Sequence, residues 1–207
     1  MREAAVLPVQ DEEARSGGRK PGRPRSERAE RAILDAALEL FGESGVAGVC
    51  IEAVATRAGV GKATIYRRWP GKQDLLLDAL STLKSPLPEP HGESVRDDLL
   101  AILRVMVSDM ADPVRARRFT LLLGEGEAHP LLMARYKERV VEPRRDVIRS
   151  VLRRGIASGE LRRGIDVETA MLMLTGAVVA CGRDITPLPA DFAERLVDEA
   201  LSGLAAR

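Results

Sequence analysis

Aromatic side chains are scarce, 3% of the chain, which argues against a platform for carbohydrate or for stacked single-stranded bases. Imidazole is scarcer still. With only His91 and His129, and no nucleophile paired to a base, the chain reads as a binding protein and not as an enzyme. Two cysteines, Cys50 and Cys181, lie far apart and suggest neither a disulfide framework nor a metal-ligand spacing, so a reducing, cytoplasmic setting is expected. No apolar core follows a basic start at the N-terminus. The longest uncharged apolar run, residues 169–182, falls short of the ~20 residues of a membrane-spanning helix, so neither secretion nor a membrane partner is expected. Gly61-Lys62 is not a phosphate-binding loop, because Thr56 and Ala63 stand where that motif needs Gly and Ser or Thr. Glu125, Glu127 and His129 alternate around Gly124 and Gly126 as in a solvated loop. No second ligand cluster accompanies them, and no metal or other cofactor is implied.

What is present is apolar content enough for a core, 45% of 207 residues, and a charge balance of 32 bases against 31 acids that hides a local imbalance. Residues 19–31 hold six bases against two acids, beside the start of the first periodic segment. That placement suggests a polyanion contacted at one end of the molecule.

Residues 1–25 are rich in Pro and Gly without periodicity and read as a flexible basic arm. A first helix is expected from Ser26 as its cap, carrying Ile33, Leu34, Ala37, Leu38 and Phe41 to about Gly42 or Gly45. Short helices follow over 51–58, 62–68 and 74–83, until Pro86, Pro88 and Pro90 forbid continuation. Beyond them Ser94 caps a helix through Met110, Pro113 opens another, and Pro130 opens a long helix through Leu152 that Pro143 should bend. Asp166 and Asp191 cap two final helices. The repeated Arg-Arg-Gly-Ile at 153–156 and 162–165 reads as an ordinary helix C-terminal signature. The class is all-α. It divides into a helix-turn-helix head over 26–72, a connecting helix and Pro-rich linker over 73–92, and a larger helical domain over 93–207.

Two short helices joined by Ala58-Gly59-Val60-Gly61 describe a helix-turn-helix, and the second, Lys62-Ala63-Thr64-Ile65-Tyr66-Arg67-Arg68, offers hydrogen-bond donors around apolar anchors. The residues Ala55-x-x-Ala58-Gly59-Val60, Thr64-Ile65-Tyr66-x-x-Trp69 and Lys72-x-x-Leu75-Leu76 closely resemble the N-terminal domain of TetR-family transcriptional regulators. The resemblance spans about residues 26–83, and the helical remainder has the length of that family's ligand-binding and dimerisation domain. It implies double-stranded DNA as partner, with Lys62, Thr64 and Arg67 nearest the bases and Tyr66 and Lys72 on phosphates. Trp69 stands at a packing position. Cys50 departs from a common Thr, and a thiol is a poorer acceptor, so that residue's phosphate contact is not carried over. Arg23 and Arg25, in Gly-Arg-Pro surroundings just before the head, resemble a minor-groove hook.

Met106, Met110, Phe119, Leu122, Met133, Tyr136 and Met171 are candidate pocket residues, because adaptable Met side chains suit a cavity for an apolar small molecule. The penultimate helix is apolar nearly all round. Leu174 and Val178 on it, with Phe192, Leu196 and Ala200 on the last helix, are expected to form a homodimer interface, a four-helix bundle across a two-fold axis. The expected function is a regulator, a repressor released from a near-palindromic operator by a small-molecule effector. An effector-independent DNA-binding protein is the alternative.

Overall fold

The computed structural model describes residues 23–181 and 189–204, and its architecture is all-α. A head is built from α1 (Arg23–Gly48), α2 (Ile51–Ala58), α3 (Lys62–Tyr66) and α4 (Lys72–Ser81). The second domain follows as α5 (Val95–Ala111), α6 (Pro113–Gly124), α7 (Pro130–Tyr136), a π-helical turn (Lys137–Val141), α8 (Glu142–Ser158), α9 (Val167–Cys181) and α10 (Phe192–Leu204).

Ile33, Ala37 and Phe41 recur at helical spacing and are fully buried, so α1 presents one continuous apolar stripe to α2 and α4, whose Val54, Leu76 and Leu80 are buried with it. Helix α1 starts at Arg23 and not at Ser26, so Ser26 lies within its first turn and Arg23 and Arg25 belong to the helix, not to an arm. Residues 1–22, the rest of the expected arm, lie outside the described residues. Helix α4 is buried over most of its circumference. Leu75, Leu76, Leu77, Ala79 and Leu80 are at most 1% exposed, because α4 packs against α1 on one side and α7 on the other. It is thus part of both domains, and the expected boundary after residue 72 cuts a shared core.

Two caps expected from the sequence are present: the Ser94 hydroxyl accepts from the Asp97 amide at 3.3 Å, and Asp166 accepts from Thr169; Asp112, just before Pro113, also caps its helix by accepting from Val114 and Arg115. The single long helix expected from Pro130 instead divides at the π-helical turn just before Pro143. Proline has no N–H to donate to the preceding turn and its ring crowds the carbonyl four residues back; the wider turn relieves both. The Arg-Arg-Gly-Ile reading also needs correction. Gly155 lies inside α8, buried where that helix meets α5, and the helix ends at Gly159.

The loop after α6 is not merely solvated. Glu125 is half-buried and accepts a hydrogen bond from the Val46 amide at 3.2 Å, where α1 is broken at Ser44–Gly45. His129 approaches the same carboxylate at 3.3 Å. Gly45 has φ 63° and ψ −162°, a region open to Gly alone, and a Cβ there would strike the Glu125 carboxylate. Gly45→Ala should therefore destabilise the protein by ~1–3 kcal/mol in denaturant unfolding; an unchanged midpoint would show that neither the backbone conformation nor the Glu125 contact carries stability.

Candidate nucleic-acid interface

The turn between α2 and α3 follows from Gly59. Its backbone is left-handed at φ 65°, its N–H donates to the Thr56 carbonyl, and the next amide, Val60, donates back to Ala55 at 3.0 Å, closing α2 so that the chain reverses within three residues. Cys50 caps the other end of α2, its sulfur accepting from the Ala53 amide at 3.4 Å. Ile65, fully buried, anchors α3 to the head, and this leaves Lys62, Ala63, Tyr66 and Arg67 exposed. Tyr66 is 53% exposed, unusual for an aromatic side chain with a core available next to it.

Thr64 is half-buried at the flank of this face. Lys62 pairs with Glu52 of α2 at 3.0 Å, and that hydrogen bond raises the Lys62 pKa and lowers that of Glu52. Lys72 occupies the first turn of α4, behind Gly71, which offers no side-chain cap. Asp74, in the same turn, supplies the negative charge that this positive helix end favours. Trp69 is 3% exposed and its indole N–H donates to Asp78 of α4 at 2.7 Å, fixing the end of α3 to the core.

This head matches the family model "Bacterial regulatory proteins, tetR family" over residues 33–79, and the second domain matches the tetracyclin repressor-like C-terminal domain over residues 89–200. The chain belongs to the TetR family of bacterial transcriptional regulators. It is 36% identical over 164 residues to the HTH-type transcriptional regulator YdeS of Bacillus subtilis, covering 77% of this chain and 80% of YdeS. It is 28% identical over 176 residues to the regulator Rv1556 of Mycobacterium tuberculosis, covering 83% of this chain and 85% of that protein. Among solved structures, the TetR-family regulator SCO0332 superposes with a TM-score of 0.62 at 31% identity, over 86% of this chain and 99% of that one. Like other TetR-family regulators the protein binds DNA through its helix-turn-helix and is not an enzyme. No helix among the described residues is long and apolar enough to cross a membrane.

The second domain of this TetR-family chain contains a cavity of about 240 Å³. Met106 and Met110 of α5, Phe119 of α6 and Tyr136 of α7 line it as the sequence suggests. Leu122, Met133 and Met171 do not: Leu122 and Met171 are buried in the domain core and Met133 packs against it. Sequence reasoning also missed the polar wall. Lys84 and Arg144 line the cavity, and no periodicity distinguishes an inward-facing cation from an ordinary surface one. Lys84 lies over the Phe119 ring at 3.8 Å and has no ion-pair partner among the described residues, and burial pushes its pKa down to about 8. Burial pushes the Tyr136 phenol up to about 12 and likewise lowers Arg144.

The interface residues divide. Leu174 and Val178 are 0% and 1% exposed and face their own domain, so they are not on the free side of α9. Leu172 and Met173, at 49% and 58%, with Gly176 and Ala180, form the outward side, and Leu172 and Gly176 also line the cavity. Phe192, Leu196 and Ala200 are half-buried on α10.

Charged Lys84 is the costly form. Its folded pKa lies below the ordinary 10.5, so the cost is fully present below pH 8 and fades as the pH rises toward 10.5. Lys84→Met should raise the unfolding free energy by ~1–2 kcal/mol at pH 7, with the gain shrinking between pH 8 and 10. A gain that grows across that interval would contradict the assignment.

Proposed function

We propose that this regulator binds its operator as a homodimer and is released by a small molecule entering the second-domain cavity. The observation that supports release most directly is the tie between cavity wall and recognition helix. Arg135 and Arg139, one helical turn apart, pair with Asp74 and Asp78 of α4 at 2.7 and 2.6 Å. Asp78 also holds Trp69 at the end of α3, and Val140 and Val141, next to Arg139, line the cavity. A ligand that displaces Val140 and Val141 pulls on the carboxylate that positions α3. An effector-independent binder would keep the same DNA affinity whatever occupies the cavity. Titrating small molecules into a complex with DNA taken from upstream of its own gene, read by fluorescence anisotropy, separates the two.

In this reading Lys62, Thr64 and Arg67 approach base edges, Tyr66 and Lys72 approach phosphates, and Arg23 and Arg25 add basic charge from the start of α1. Lys62 must first leave Glu52. Lys72→Ala should weaken specific and non-specific DNA alike and reduce the slope of log affinity against log salt by about one, whereas Thr64→Ala should mainly reduce discrimination. Equal loss of discrimination in both variants would reject this division.

The dimer face is the outward side of α9 together with the half-buried side of α10. Exposed Leu172 and Met173 are large apolar side chains that water solvates poorly, and small Gly176 and Ala180 beside them permit close helix approach. Ion pairs Arg96–Asp198 and Arg104–Glu194, at 2.7 and 2.6 Å, hold α10 on α5 by its other side. Met173→Glu with Ala180→Glu should convert a sedimenting dimer to a folded monomer with weakened operator binding; a wild-type protein that sediments as a monomer at micromolar concentration would end this part of the proposal.

A further inference from the structure

We propose that the second-domain cavity takes a small apolar monocarboxylate, its carboxylate held by Lys84, Arg144 and the Tyr136 hydroxyl and its hydrocarbon body lying among Met106, Val140, Ile148 and Val179. The inference names the ligand class of the effector reading and rests on that reading only for its consequence at DNA.

Lys84, Arg144 and Tyr136 stand together in the lining of a wall that is otherwise mostly apolar. Tyr136 is 2% exposed, and its buried hydroxyl has no hydrogen-bond partner. Native proteins rarely leave such a group empty-handed, because an unpaired buried hydroxyl carries its full desolvation cost. Arg144 donates from one guanidinium nitrogen to the Ser85 carbonyl, but its Nη2 is buried without a hydrogen bond, 3.6 Å from the Asp109 carboxylate. Lys84 meets only the face of Phe119. Arg115 already claims Asp109 at 2.8 Å and also reaches Asp112 at 3.8 Å, so Arg144 shares Asp109 with Arg115 while Lys84 has no carboxylate paired to it among the described residues, and positive charge is left over at the cavity. The other basic residue of the wall, Arg145, is neutralised by Glu142 at 3.0 Å.

A cationic ligand is repelled by this arrangement, and a neutral one leaves the excess charge in a poorly solvated place. A carboxylate supplies two acceptor oxygens, enough for a guanidinium, an ammonium and a phenol together. Size sets the body. At the ~30 Å³ that a water molecule occupies in the liquid, the cavity has room for roughly eight waters, and covalently joined heavy atoms pack closer than waters do, which suits a short aliphatic chain or a single ring.

The test is calorimetric titration of the full-length protein with sodium octanoate and sodium benzoate, against octanamide, benzamide and octylamine. At least one carboxylate should bind ~10-fold or more tightly than its amide, and octylamine should not bind. Tyr136→Phe should weaken that carboxylate ~3–10-fold and Lys84→Met about 10-fold, with amide binding unmoved in both. Both substitutions keep side-chain bulk, and thermal unfolding verifies that each variant is folded. The proposal is overturned if neither carboxylate binds at millimolar concentration, if amides bind as well as carboxylates, or if the folded variants bind carboxylate as the wild type does. The same ligands are added to the complex with DNA from upstream of the protein's own gene. Carboxylate binding without DNA release upholds the ligand class and rejects the effector reading; release by amide or amine without preference for carboxylate does the reverse.

Discussion

Helix α4 carries the constraint on which the rest of the molecule depends. A helix packed against two neighbours has no freedom to slide against one without disturbing the other, and α4 is packed between α1 of the head and α7 of the second domain. Its two outward carboxylates, Asp74 and Asp78, add direction to that packing by meeting Arg135 and Arg139 in register. Partly exposed ion pairs of this kind contribute little to stability. Their value is positional, since Asp78 is also the acceptor of the Trp69 indole and so determines where α3 ends.

The linker after α4 is held just as specifically, by two buried aspartates of α5. Asp109 accepts from the amide and hydroxyl of Ser85 at 3.0 and 2.6 Å while pairing with Arg115 of α6. Asp98 accepts from the His91 and Gly92 amides and pairs with Arg154 of α8. Burial opposes ionisation of Asp98, yet these amides and the guanidinium together hold its pKa below the ordinary value. Three prolines deprive the segment of helix hydrogen bonds, and the two carboxylates supply partners to its amides instead. The same Asp109 sits behind Lys84 and Arg144, so the linker and the polar wall of the cavity share one charge network.

Much of this was legible in the sequence, for identifiable reasons. Helix α2 runs over Ile51–Ala58 as the apolar spacing and Gly59 require, and the caps at Ser94 and Asp166 are local hydrogen bonds written in neighbouring residues. Long-range contacts were not legible. Glu125 resembles any loop acid until α1 breaks opposite it, and Lys84 resembles any surface lysine until α5, α6 and α8 close around it. The outward side of α9 was misassigned for a related reason. An all-apolar helix has nearly no amphipathic direction, so periodicity could not tell inward Leu174 and Val178 from outward Leu172 and Met173.

If α4 transmits position through its carboxylates, loosening its partners must be felt at the recognition helix. Native-state hydrogen exchange on wild type and on Arg135→Gln/Arg139→Gln addresses this without requiring a ligand or an operator. Faster exchange is expected at the amides of Arg67, Arg68 and Trp69 as well as in the π-helical turn, with the core of α1 unchanged. Acceleration confined to residues 135–141, with protection around Trp69 intact, would contradict transmission through α4.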